Sequence, residues 1–245
     1  MKKSVLALSL LATSTVVLAA GPGTWGYEGK TGPDNWGNLS QEYATCKLGQ
    51  QQAPIDIPTK SLGKATAAIK PAYKASAGEI INNGHTIQLS LSDAGGANLS
   101  GVDYKYLQTH FHAPGEEKVD GKSYPFNAHI VHQSADGKLA VIGVFYKEGT
   151  ENAALKEVFS QMPDKDGKVA IKGAINPTGF LPKSLAYYSY VGSLTTPPCS
   201  EGVTFYILKT PMEMSKAQLE QFKKLYPMNA RPTFPLNGRK ITETN

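Results

Sequence analysis

The sequence predicts a β-dominated α+β fold: a single domain around a large, mostly antiparallel twisted sheet with short helices at its periphery. Apolar runs of strand length recur along the 245 residues, turn-forming dipeptides separate them, and only two segments carry a helical period. The 24 glycines and 16 prolines follow no collagen-like repeat, which fits many turns between short strands. With 40% hydrophobic and 18% charged residues, the chain has enough apolar content for a core and too little charge for a disordered polymer.

The first twenty residues stand apart. Lys2 and Lys3 form a positive start, Val5 to Leu18 an apolar stretch, and Leu18-Ala19-Ala20-Gly21 a small-residue cleavage zone. This grammar predicts a signal peptide over residues 1–20 and one domain over 21–245, exported to the periplasm or secreted. The apolar stretch is shorter than the roughly 20 residues that span a bilayer, and no other stretch is apolar enough, so no membrane span is expected in the mature chain. Setting aside two of the 25 basic residues lowers the formal net charge from +5 to +3. Lys216, Lys223 and Lys224 read as a solvated helix face, and no nucleic-acid partner is expected.

Along the domain, Thr86 to Ser92 alternates apolar and polar residues as a half-buried strand does. Lys138 to Tyr146 and Val203 to Leu208 are denser runs typical of central strands. Asn83-Gly84, Asp120-Gly121 and Asp136-Gly137 are turn signals. A helix is predicted from Asn152, with Leu155, Val158 and Phe159 on one face. A second follows Ser215, where Gln218 completes a capping-box pattern and Leu219, Phe222 and Tyr226 recur at helical spacing up to Pro227.

The histidines carry the chemistry. His110 and His112 are two residues apart, and the period of a strand puts both on one face. His129 lies in a second β-like run, and the turns at Pro114-Gly115 and Asp120-Gly121 let the two runs pair antiparallel and bring it beside the first two. Three neutral imidazoles on one sheet face make an open zinc site, with the fourth tetrahedral position left for water. His132 falls on the opposite face and is expected to be a hydrogen-bonded structural residue. A strand histidine is more often structural than a ligand, so spacing alone leaves that reading open.

Longer segments narrow the choice. Gln108 to Glu116 (QTHFHAPGE), Asn127 to His132 (NAHIVH), Leu139 to Gly143 (LAVIG) and Ser193 to Cys199 (SLTTPPC) resemble, in order, signature segments of the α-class carbonic anhydrases, particularly the secreted bacterial branch. Asn82-Asn83-Gly84-His85 and Asn229-Ala230-Arg231-Pro232 extend the resemblance from about Trp25 to Ile241. It implies reversible hydration of carbon dioxide to bicarbonate and a proton by a zinc-bound hydroxide, with one zinc per chain on His110, His112 and His129. Thr195 matches the threonine that orients the hydroxide, and Glu116 the carboxylate that accepts that threonine's proton in a hydrogen bond. His85 matches the proton shuttle, where the bare sequence reads an exposed turn histidine. Thr196 matches a contact to the bound anion, and Val131, Val141, Leu194 and Val203 match the apolar wall against which carbon dioxide sits. Gln108 matches a residue that holds a ligand histidine, and Cys46 and Cys199 match a disulfide. Sulfonamides and anions are the inhibitors such a site implies, and the resemblance admits a homodimer.

Two positions depart from the pattern or complicate it. Asn127 stands where the family commonly has a glutamate bonded to the third ligand, which predicts weaker zinc retention than in an Asn127→Glu variant. Glu117, beside Glu116, reads as part of a charged surface turn whose substitution should do little. Two other functions fit parts of the pattern. His-Phe-His followed by Glu116 also fits the iron or manganese motif of cupins, but His129 comes too soon for the second cupin motif. A binding module of the same fold would be expected to have lost ligand histidines, and all three are present.

Overall fold

Seven strands form the body of a 13-stranded mixed sheet in the computed structural model, which describes residues 24–60 and 62–245. They are β1 (Gly78–Asn82), β2 (Ile87–Leu91), β3 (Val102–His112), β4 (Phe126–Ser134), β5 (Leu139–Glu148), β6 (Tyr187–Ser193) and β7 (Glu201–Leu208). The expected signal peptide lies outside the described residues. Across the sheet the order is β1-β2-β3-β4-β5-β7-β6, with Gly167–Ala170 outside β1 and Thr242–Glu243, then Gly63–Lys64, outside β6. Neighbours from β1 to β5 are antiparallel, as are β7 and β6, while β5 and β7 run parallel. A mostly antiparallel sheet was expected, and this one fits.

The density of the β5 run follows from its position, because a central strand is covered on both faces. Ala140, Ile142, Val144 and Tyr146 enter the larger core, whereas Val141 and Phe145 enter a second cluster with Val131, Val203, Phe205 and Ile207. The strand runs past Tyr146 to Glu148 because Met212–Met214 pairs with its end, a contact no local pattern announces. At Asp120-Gly121 both residues have positive φ, 47° and 77°, as a two-residue hairpin turn requires. That turn joins two short strands, Lys118–Val119 and Lys122–Ser123.

Both predicted helices form on the larger-core face. Asn152 caps Ala153–Phe159 through its side chain, and Ser215 and Gln218 form the reciprocal capping box of Lys216–Lys223. Gln218 also receives the Asn152 N–H at 2.9 Å and donates to the Asn152 carbonyl at 2.7 Å, so one buried amide locks the two helix starts together. The second helix stops short of Tyr226, where the N–H groups of Leu225 and Tyr226 both turn to the Phe222 carbonyl. Phe159 and Phe222 from these helices meet Phe111 and Phe126 from β3 and β4. The aromatic core thus backs the two strands that carry the histidines. Truncating one such buried ring to alanine typically costs about 3–5 kcal/mol.

Candidate metal centre

Strand register assembles the centre. His129 on β4 lies directly opposite His110 on β3, and Asn127 opposite His112. His110, His112 and His129 each offer a nitrogen within 4.8 Å of the others. On the other side of β4, Gly143 faces His129 across the ladder, and a Cβ there would stand 2.5 Å from Ile207 Cδ1, so the sheet needs a small residue behind the ring.

Each ring is fixed by an acceptor at its rear nitrogen. Gln108 Oε1 meets His110 Nδ1 at 2.8 Å, and the Asn229 carbonyl meets His112 Nδ1 at 2.8 Å. Glu117 meets His129 Nε2 with both oxygens, at 3.1 and 3.2 Å. Acceptors at the rear put the proton there, leaving the lone pairs of His110 Nε2, His112 Nε2 and His129 Nδ1 for a common centre. His112 Nε2 and Glu116 Oε2 are buried without a hydrogen-bond partner, 3.5 Å apart. Three convergent imidazoles, one with an orphaned buried nitrogen, fit a zinc ion that keeps a fourth position open.

The electrostatics favour neutral ligands on β3. Burial, then the neighbouring His129, lowers His110 to about 3, and burial pushes His112 well below the ordinary histidine range. Burial also acts downward on His129, but Glu117 and then Glu116 outweigh it and raise its pKa. Glu116 is pushed up to about 7, first by burial, against the opposing pull of His129. Its Oε1 accepts the Arg231 N–H at 2.9 Å, and that N–H and the nearby Thr195 side chain pull its pKa down against burial.

Thr195 and half-buried Thr196 lie on the loop between β6 and β7. That loop is closed by Leu194 N–H to the Ser200 carbonyl, by Cys199 N–H to the Thr196 carbonyl, and by the Cys46–Cys199 disulfide across 153 residues. Val131, Val141 and Val203 share one buried cluster, with Leu194 packed against it. His85, half-buried ahead of β2, stacks on Trp25 with ring centroids 3.6 Å apart and planes 9° from parallel. Burial lowers its pKa, opposed by Asp166. His132 faces the larger core as expected, with Nε2 2.6 Å from the Tyr73 hydroxyl.

One expectation is overturned. Glu117 is no surface charge: it is fully buried beneath His129. Asn127, also buried, donates to Glu117 Oε2 at 2.8 Å. Two supporting residues had no role assigned from sequence. Asn229 holds His112 through its carbonyl, and Arg231 holds Glu116 through its N–H. Their only signal was the Asn-Ala-Arg-Pro segment in which both lie.

This fold and site define an α-type carbonic anhydrase. Residues 31–245 match the eukaryotic-type carbonic anhydrase family, and the chain belongs to it. It is 39% identical over 239 residues to the carbonic anhydrase of Neisseria gonorrhoeae, covering 96% of this chain and 94% of that one. Among solved structures, the α-carbonic anhydrase of Thermovibrio ammonificans in complex with the inhibitor sulfanilamide superposes with a TM-score of 0.88 at 46% identity, covering 91% of this chain and 100% of that one. A hyperthermostable carbonic anhydrase from a hydrothermal vent chimney gives 0.86 at 43%, with the same coverage. Members are enzymes that hydrate carbon dioxide and use zinc. No helix among the described residues is long and apolar enough to cross a membrane.

Proposed function

We propose that the protein is an exported, zinc-dependent carbonic anhydrase that interconverts carbon dioxide and water with bicarbonate and a proton. The observation that carries this reading is the convergence of three imidazole nitrogens within 4.8 Å, each ring fixed from behind by an acceptor. When bound, zinc supplies a water acidic enough to ionise near pH 7. His110, His112 and His129 would hold one ion per chain.

The remaining steps belong to side chains. Thr195, its proton committed to Glu116, offers only a lone pair to the nucleophile and so fixes the direction of attack. The Arg231 N–H donated to one Glu116 oxygen favours its ionised, accepting form against the burial that raises its pKa. Val131, Val141, Leu194 and Val203 form a dry wall that suits an apolar substrate without hydrogen-bond donors, and Thr196 contacts the anionic product. His85 carries the proton out to buffer. Its half-buried place beside Trp25 supports that role, and an imidazole titrates in the range the task needs. Residues 1–20 direct export, and sulfonamides and small anions compete at the open position. The test is metal analysis with stopped-flow carbon dioxide hydration and a sulfonamide. About one zinc per chain and sulfonamide-sensitive hydration are expected. A metal-loaded protein without hydration would overturn the reading.

A further inference from the structure

The carboxylate beneath the third ligand comes from the segment after β3 rather than from β4, two residues before His129. We propose that Glu117 is the positioning residue for His129, and that Asn127 is the clamp that holds Glu117 in place. This rests on the zinc-site reading above and deepens it.

The Glu117 carboxylate decides the direction of its own contacts. A carboxylate only accepts, so the group that Asn127 turns to Glu117 Oε2 at 2.8 Å is its amide nitrogen. Both Glu117 oxygens lie within 3.2 Å of His129 Nε2, where an N–H donates when Nδ1 faces the centre. Glu117 thus receives from the ligand ring on one side and from the Asn127 amide on the other, and the Tyr190 hydroxyl stands 3.5 Å from Oε1. A charged acceptor raises the basicity of a ligand imidazole and fixes its plane, which an amide at position 127 could not do alone. Burial makes the arrangement costly to break: Glu117 and Asn127 are both fully inaccessible to solvent. The pair also reverses the expectation for Asn127→Glu. That change sets a second buried carboxylate against Glu117, so it should weaken zinc retention rather than improve it.

Glu117→Gln tests the inference directly. Glutamine keeps the shape but removes the charge and replaces one acceptor oxygen with an NH2 donor, so the ligand ring loses its charged acceptor. We expect zinc release to a chelator to quicken about 10–100-fold, with a shifted visible spectrum in the cobalt-substituted protein. Circular dichroism of the metal-free protein should show the parent fold, with a lower melting temperature from the disturbed buried pair that does not itself account for the change in zinc release. The exchange variant Glu117→Gln/Asn127→Glu returns the carboxylate to β4 and should recover most of the lost retention and the parent cobalt spectrum. Parent-like zinc release in Glu117→Gln, or an exchange variant no better than Glu117→Gln, would overturn the proposal. Because these readouts do not use turnover, a parent that binds zinc but hydrates no carbon dioxide would sink the functional reading separately.

Discussion

Asn229 joins the His85 segment to β3, and its removal gives a quantitative test of how the site is held. Its Oδ1 accepts from the Ala113 N–H at 2.8 Å, and its Nδ2 donates to the carbonyls of Phe111 and His85, each at 3.0 Å. In Asn229→Ala the three partners lose unequal amounts. Ala113 N–H loses the side chain that serves it in a buried setting, worth about 1–3 kcal/mol. The Phe111 carbonyl keeps the Thr86 hydroxyl at 2.6 Å, and the His85 carbonyl is partly exposed, so each loses less. With the small void left behind, a total of about 2–4 kcal/mol is expected, measured by urea unfolding of the metal-free protein. Zinc release should quicken as well, because the Asn229 carbonyl that fixes His112 would lose its anchor. Asn229→Asp should be at least as damaging, since two carbonyls would then face a carboxylate. A loss below about 1 kcal/mol in both variants would refute this account of how β3 is tied to the C-terminal segment.

Three further outcomes are expected. His85→Ala should lower maximal turnover in weak buffer, by up to about 100-fold, and imidazole should restore it; unchanged turnover would remove His85 from the mechanism. His132 is held neutral by burial, with its pKa lowered to about 4, beside the Tyr73 and Tyr106 rings. Because the folded pKa lies below the unfolded one, its contribution is complete above about pH 6.5 and declines as pH falls toward 4, a change of about 3 kcal/mol. Unfolding curves of the parent and His132→Gln should therefore converge as pH falls, and parallel curves would contradict the assignment. Replacing both Cys46 and Cys199 by serine should cost up to about 5 kcal/mol in the chain-entropy account, and should lower turnover by loosening the Thr195–Thr196 loop; intact activity in a destabilised variant would separate the bridge from the site.

What could be read in the sequence was local. A two-residue period puts His110 and His112 on one face whatever the rest of the chain does, and the Asp120-Gly121 turn brings β4 back alongside. The capping box at Ser215 and the apolar face of the Asn152 helix are equally self-contained. Misreadings arose where distant segments decide. Two adjacent glutamates after a turn look solvent-exposed, but the path of the chain carries Glu117 beneath β4, where His129, Asn127 and Tyr190 answer it. Arg231 and Asn229 reach the site from more than 100 residues away, and the far end of β5 is set by Met212–Met214. Hydrophobic periodicity has no access to such contacts.

The adjacency of Glu116 and Glu117 has a consequence for His129 that neither residue has alone. Consecutive side chains address the two nitrogens of one ring: Glu116 Oε2 lies 3.8 Å from Nδ1, and Glu117 Oε1 lies 3.1 Å from Nε2. The ring is bracketed by carboxylates, which explains why its pKa rises when burial drives those of His110 and His112 down. Two acidic groups buried beside three imidazoles make a site whose charge favours a cation. The two glutamates are nonetheless unequal. Glu116 Oε2 lies toward His112 Nε2 and His129 Nδ1, whereas Glu117 lies behind the His129 ring, so on the proposed reading the first bears on reactivity and the second on how firmly a metal is kept. Substitution at the first should therefore appear mainly in turnover with zinc retained, and substitution at the second mainly in zinc release.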